Sequence, residues 1–173
     1  YLLKSQAERC KEILQKLSKN PLKLKDKFLE RVKISDLIKI NFDKFNKNKK
    51  LEIIKNNSQI EPEIIFKDEI MYALGNIIQN AVLYSNKLVF VKLTYGNNLT
   101  SIKISDDGPG YSKDIFDKLG EPYISKNNNG MGLGIFISKN LIENMGGKIE
   151  FYNSEVNNAV VEISFNNSIL NIW

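Results

Sequence analysis

The sequence predicts an α/β fold, a two-layer α/β sandwich with a mixed sheet, preceded by a coiled-coil-like helix. Three observations predict it. Helical stretches and alternating runs follow one another along the chain, in the order helix, helix, strands, helix, two strands, loop, helix, two strands. Two pairs of alternating runs are separated by turn residues, as in hairpins. Two glycine clusters, Asp106-Asp107-Gly108-Pro109-Gly110 and Gly130-Met131-Gly132-Leu133-Gly134, flank a polar stretch too irregular to be core.

Residues 1–18 contain no helix breaker, and Leu3, Ala7, Cys10, Ile13, Leu14 and Leu17 keep heptad spacing. Asn20-Pro21 ends that helix. So short an amphipathic helix needs a partner, which places this one in a helical hairpin or dimer stem. Residues 22–33 are lysine-rich and weakly patterned, as in a connector. Ser35 is placed to cap a helix from Asp36 to about Asn46. Residues 51–55 and 62–66 read as short strands.

From Lys67 to about Ser85 the pattern is helical again, with Ile70, Leu74, Ile77, Ile78 and Ala81 as the core stripe. Ala73, Asn76, Asn80 and Tyr84 form a second strip beside it. Asparagine is a poor residue for the middle of a helix, so Asn76 and Asn80 are either surface amides or working groups. Residues 87–95 and 99–105 make a hairpin across Gly96-Asn97-Asn98. A short helix or turn follows from Ser112 to Leu119. A helix from Gly132 carries Leu133, Phe136, Ile137 and Leu141 on one face and stops at Gly146-Gly147. Residues 148–153 and 159–165 close a second hairpin.

Composition narrows the function. At 173 residues the chain fits one domain with a short appendage, and 42% hydrophobic with 26% charged residues is globular. The net charge of +5 comes from scattered lysines, with no basic block interleaved with aromatics, so no nucleic-acid partner is expected. No apolar run approaches the ~20 residues needed to span a bilayer. The single cysteine fits a reducing compartment. The chain starts at Tyr1 without a signal peptide and reads as a piece of something longer. It contains no histidine.

Glycine lets backbone amides approach a ligand closely, so two such clusters around a loop suggest a nucleotide pocket with a lid. No Gly-Lys-Ser/Thr follows the second cluster, which excludes a Walker P-loop.

NIIQNA (76–81), DDGPG (106–110), IFDKLGEPY (115–123), GMGLG (130–134) and MGGKIEF (145–151) together resemble the catalytic and ATP-binding domain of sensor histidine kinases. They match, in order and spacing, the conserved boxes of the Bergerat-type (GHKL) ATP-binding fold over roughly residues 35–165. LGEPY, the GMGLG lid and QAERCKEIL resemble the RegB/PrrB redox-responsive kinases in particular. The implied organisation is a partial dimerisation and phosphoacceptor hairpin at 1–20, a linker at 21–34, the ATP-binding catalytic domain at 35–166 and a tail at 167–173.

The resemblance implies ATP and Mg2+ as ligands. Asp106 would accept a hydrogen bond from the adenine amine, with Gly108 and Gly110 admitting the purine; a plain Asp-Gly turn is the alternative. Asn80 would ligate magnesium, Asn76 would orient a phosphate or metal-bound water, and Tyr84 would flank the nucleotide or simply pack in the core. Gly130, Gly132, Leu133 and Gly134 would present free helix amides to the triphosphate. Lys126 is the nearest lid cation for the terminal phosphate, or a solvated lysine. Many relatives carry a lysine where this chain has Leu83. The phosphoacceptor histidine would lie upstream, outside the fragment.

The implied partners are a second copy, forming a homodimer through the N-terminal helix, and a response regulator. The implied location is a cytoplasmic domain anchored in the bacterial inner membrane through upstream segments. Cys10, between Arg9 and Lys11, is either seam packing or a redox switch forming a disulfide with its symmetry mate. The competing readings are a gyrase-like ATPase, a serine kinase, and a nucleotide-responsive dimerisation module without catalysis.

Overall fold

The structure is a computed structural model and describes residues 31–46, 48–56, 61–124 and 132–172. The helix expected over residues 1–18, with Cys10, lies outside them, as do Lys126 and Gly130. A five-stranded sheet has the order β2-β4-β5-β7-β6, comprising β2 (Lys50–Lys55), β4 (Leu88–Tyr95), β5 (Leu99–Asp106), β7 (Ala159–Asn166) and β6 (Lys148–Asn153). β2 runs parallel to β4 and every other pair is antiparallel, so the sheet is mixed. Helices α1 (Ile34–Phe45), α2 (Asp68–Tyr84) and α4 (Gly134–Asn144) form the second layer, and the short α3 (Lys113–Phe116) falls between α2 and α4 in the chain. The fold is the expected two-layer α/β sandwich.

Strand alternation decides which sheet face the helices cover. Val89, Val91 and Leu93 of β4 meet Ile102 and Ile104 of β5 and Val161 and Ile163 of β7 in one buried layer. The expected α2 stripe, Ile70, Leu74, Ile77, Ile78 and Ala81, is buried in the same core. At about 1.5–3 kcal/mol for each large apolar side chain, this layer is the main source of stability.

Four sequence expectations need correction. The connector ends in a strand, β1 (Arg31–Lys33), which pairs with β3 (Glu63–Ile65), so a second, two-stranded sheet accompanies the main one. Of the α4 face expected from the sequence, Leu133, Phe136, Ile137 and Leu141, only Leu141 packs against the core. Ser138 and Ile142 are the buried residues of α4, with Ile135, Leu141 and Met145 packed alongside. Counting apolar residues missed Ser138, whose hydroxyl is satisfied by donating to the carbonyls of Ala73 (3.1 Å) and Gly134 (2.9 Å). The presumed tail forms a short helix, α5 (Asn167–Leu170), and Leu170 is buried in the core.

The fourth correction concerns Ser35, which is not the cap of α1. The helix already starts at Ile34, and Ser35 is buried. Glu61 does the capping from a distant loop. Its Oε1 accepts from the Ser35 N–H (2.9 Å) and the Tyr95 hydroxyl (2.7 Å), its Oε2 accepts from Ser35 Oγ (2.7 Å), and Lys55 is ion-paired to it. Burial works to raise the Glu61 pKa, but Lys55, Ser35 and Tyr95 together hold it below its ordinary 4.5. A depressed carboxylate stabilises the fold above its unfolded pKa, and that contribution is lost as pH falls through the lower, folded-state value. Glu61→Ala should therefore destabilise the fold by about 1–3 kcal/mol at pH 7, read as a lower urea midpoint with little change in m, and the deficit should shrink below pH 4.5.

Candidate functional site

Helix α2 is the spine on which both glycine clusters rest. A Cβ built on Gly108 would lie 2.3 Å from the carbonyl oxygen of Tyr84, at the end of α2. A Cβ on Gly134, the first residue of α4, would lie 3.7 Å from Asn76 Cβ. Tyr84 and Asn76 are about 12 Å apart along the helix at ~1.5 Å per residue, a span that suits a nucleotide. Asn80 stands midway. Asn76 and Asn80 are half-buried, and among the described residues neither side-chain amide has a hydrogen-bond partner. Tyr84 is 40% exposed and is not a core residue.

Asp106 ends β5 on the helix-facing side, continuing the row Thr100, Ile102 and Ile104. It is a carboxylate where the pattern calls for an apolar side chain, and it is buried. Its Oδ1 accepts from the Gly108 N–H at 2.9 Å, and its Oδ2 accepts no hydrogen bond from the described residues. Burial pushes its pKa up to about 6, the Gly108 N–H works against that rise, and the neighbouring Asp107 charge adds to it. A buried carboxylate with an open acceptor oxygen is a group built to receive a donor.

The expected glycines are needed first for the protein's own packing. Gly110 has φ +75°, and a Cβ there would fall 2.0 Å from the Asn157 carbonyl oxygen. Gly132 has φ +65° and lies against the Ile124 backbone, where a Cβ would come within 2.5 Å. Leu133, half-buried, occupies the residue before α4, and among the described residues no side chain caps the start of the helix, which lies beside Asn76. Ser138 fixes this helix end to α2 through the Ala73 carbonyl.

Residues 66–168 match the model of the family described as histidine kinase-, DNA gyrase B-, and HSP90-like ATPase. The chain belongs to that family. It is similar to the sensor histidine kinase RegB of Cereibacter sphaeroides, 28% identical over 171 residues, covering 88% of this chain and 36% of RegB. It is also similar to the sensor histidine kinase ArsS of Helicobacter pylori, 32% identical over 152 residues, covering 85% of this chain and 34% of ArsS. The chain thus spans about a third of the length of these relatives. Its fold is that of the mycobacterial sensor histidine kinase MprB, with a TM-score of 0.67 at 18% identity, covering 79% of this chain and 97% of that structure. The catalytic domain of histidine kinase ThkA gives 0.66 at 21% identity, covering 79% and 94%.

Within this histidine kinase-like ATPase domain, sequence reasoning missed the residues that hold the site together. The Asp107 carboxylate accepts from the N–H groups of Asn86 (2.8 Å), Lys87 (3.0 Å) and Leu88 (3.0 Å), tying the α2–β4 turn to the first glycine cluster. Burial works to raise its pKa, but these N–H donors hold it below its ordinary 3.8. Lys49 donates to the carbonyls of Ser85 and Asn86, both at 2.7 Å, in the same turn. The only signal in the sequence was the doubled aspartate, which does not tell one carboxylate from the other. Leu83, where the resemblance leads one to expect a lysine, is 55% exposed.

Proposed function

We propose that this chain is the ATP-binding catalytic domain of a two-component sensor histidine kinase. It transfers the γ-phosphoryl of ATP to a histidine outside the fragment, for relay to a response regulator. The observation that carries this reading is the buried Asp106 carboxylate, on the same helix-bound frame as Asn76 and Asn80, with one carboxylate oxygen and both amides unpartnered among the described residues.

Asp106 reads the adenine amine as a hydrogen-bond acceptor, and Tyr84 flanks the base. Asn80 offers an amide oxygen of the kind magnesium takes when it keeps most of its water and the phosphate oxygens supply the rest. Bound magnesium supplies charge neutralisation for the transferring phosphoryl group. Asn76, beside the start of α4, orients a phosphate. Gly132, Leu133 and Gly134 line that phosphate end, and the sequence assigns Gly130 and the lid cation Lys126, which lie outside the described residues, to the same role. An amide cannot take a proton from water, so Asn76 favours transfer by positioning over hydrolysis.

In the longer protein the domain pairs through its N-terminal helix as a homodimer, is cytoplasmic, and reaches the inner membrane only through upstream segments. Among the described residues no helix is long and apolar enough to cross a membrane. Cys10 is the candidate redox switch of that longer protein, to be compared as Cys10→Ala under mild oxidation.

Titration calorimetry with ADP, with magnesium and then with a chelator, tests the site. We expect magnesium-dependent binding in the micromolar to millimolar range. Asn80→Ala should remove most of the magnesium enhancement while leaving metal-free ADP binding nearly intact. Equal loss in both conditions would take the metal away from Asn80.

A further inference from the structure

We propose that Asn153 and Asn158 are positioning residues that aim the Asp106 carboxylate, and so set the preference for a purine bearing an amine. The proposal rests on the adenine-reading role given to Asp106 above.

The β5–β7 ladder runs from Leu99 opposite Asn166 to Ser105 opposite Val160 and stops one residue short of Asp106. At that point a side chain takes over from the backbone. Asn158 Nδ2 donates to the Asp106 carbonyl at 2.7 Å, holding the residue from the β7 side while β4 holds it through Val89 on the other. At the far end of the loop, Asn153 binds both backbone groups of Tyr111. Its Oδ1 accepts from the Tyr111 N–H and its Nδ2 donates to the Tyr111 carbonyl, each at 2.8 Å. Only an amide both accepts and donates in this way; a carboxylate would leave the carbonyl unpaired.

Both asparagines belong to one hairpin, and that hairpin is itself tied. Ser154 N–H donates to Asn158 O (2.9 Å), Asn157 N–H to Ser154 O (2.8 Å) and Asn158 N–H to Ser154 Oγ (3.1 Å). Gly110 is wedged against Asn157 between the two asparagine contacts. Residues 106–111 are therefore bracketed at both ends by one template. Tyr111 shares the environment of the carboxylate, since its phenol pKa is raised first by burial and then by the Asp106 charge. A shift of this loop would move the Asp106 oxygen away from its donor without unfolding the domain.

The test uses the 173-residue chain and two ligands, ADP and inosine diphosphate, which carries an oxo group in place of the amine. The parent should prefer ADP by about tenfold or more. Asn158→Ala and Asn153→Ala should each cut that preference about three- to tenfold, by weakening ADP while inosine diphosphate binding holds. A merely structural role would weaken both ligands alike, and an unchanged ratio in folded variants overturns the proposal. Asn153→Asp keeps the shape and the Oδ1 acceptor but exchanges the donor for a charged acceptor facing the Tyr111 carbonyl, so it should lose the preference at least as strongly and serves if either alanine variant fails to fold. Asp106→Asn separates the two claims. Lost preference there with full preference in the asparagine variants sinks the positioning role alone, whereas a parent that does not discriminate sinks the adenine reading itself.

Discussion

Asp106→Asn is expected to bind ADP about tenfold to a hundredfold more weakly and yet to melt a few degrees higher without ligand than the parent. The loss follows from replacing an acceptor by an amide that presents a donor to the adenine amine. The gain follows from the raised pKa. An acid whose folded-state pKa, about 6, stands above its ordinary 3.8 contributes stability that is complete below the lower value and lost as pH rises through the higher. At pH 7 the parent therefore carries an ionised, buried carboxylate as a cost to the fold, and the variant does not. The asparagine oxygen can still accept from the Gly108 N–H, so the loop keeps that bond. ADP affinity in the parent should also fall as pH drops below about 6, with the variant flat over the same range. Thermal melts with and without ADP, between pH 5 and pH 8 at intervals of about one unit, check both halves. A variant that loses stability and affinity together would make Asp106 a structural residue.

Gly110→Ala is expected to be the most damaging single methyl in the domain. The residue has φ +75°, a region that costs an L side chain about 1–2 kcal/mol, and the new Cβ would fall 2.0 Å from the Asn157 carbonyl oxygen. Either the loop or the hairpin must move, for about 2–4 kcal/mol of strain and overpacking in sum. Gly134→Ala is the internal control. Its Cβ would meet Asn76 at 3.7 Å, an ordinary contact, at the start of a helix where alanine is the better residue. Urea unfolding should place the two variants on opposite sides of the parent or nearly so. Equal costs would contradict the packing described for the first glycine cluster.

Much of this was legible because periodicity follows burial. The stripe Ile70, Leu74, Ile77, Ile78 and Ala81 and the two hairpins stand where their spacing puts them. Asp106 stood out in the sequence by its turn and by the resemblance, and the structure puts it in a buried row at the end of β5. What stayed hidden was held by polar contacts between residues far apart in sequence. Glu61 caps α1 from another loop, Ser138 is buried because two carbonyls accept its proton, and Asn153 and Asn158 reach back to the first glycine cluster. None of these has a period, and in an asparagine-rich chain two more asparagines carry no signal. β1 was missed because Arg31-Val32-Lys33 sets a single apolar residue between two charges, whereas the equally short β3 carries Ile64 and Ile65 together.

Phosphoryl transfer tests the central claim most directly. The 173-residue chain contains no histidine, so it is expected to take up no label from γ-labelled ATP by itself. Mixed with a separate fragment carrying the proposed phosphoacceptor helix and its histidine, it should place an acid-labile, alkali-stable phosphoryl group on that fragment in a magnesium-dependent reaction, and Asp106→Asn should slow the reaction at limiting ATP. Acid-stable label on this chain, or rapid release of phosphate with none transferred, would contradict the account and assign the site to a serine kinase or to an ATPase.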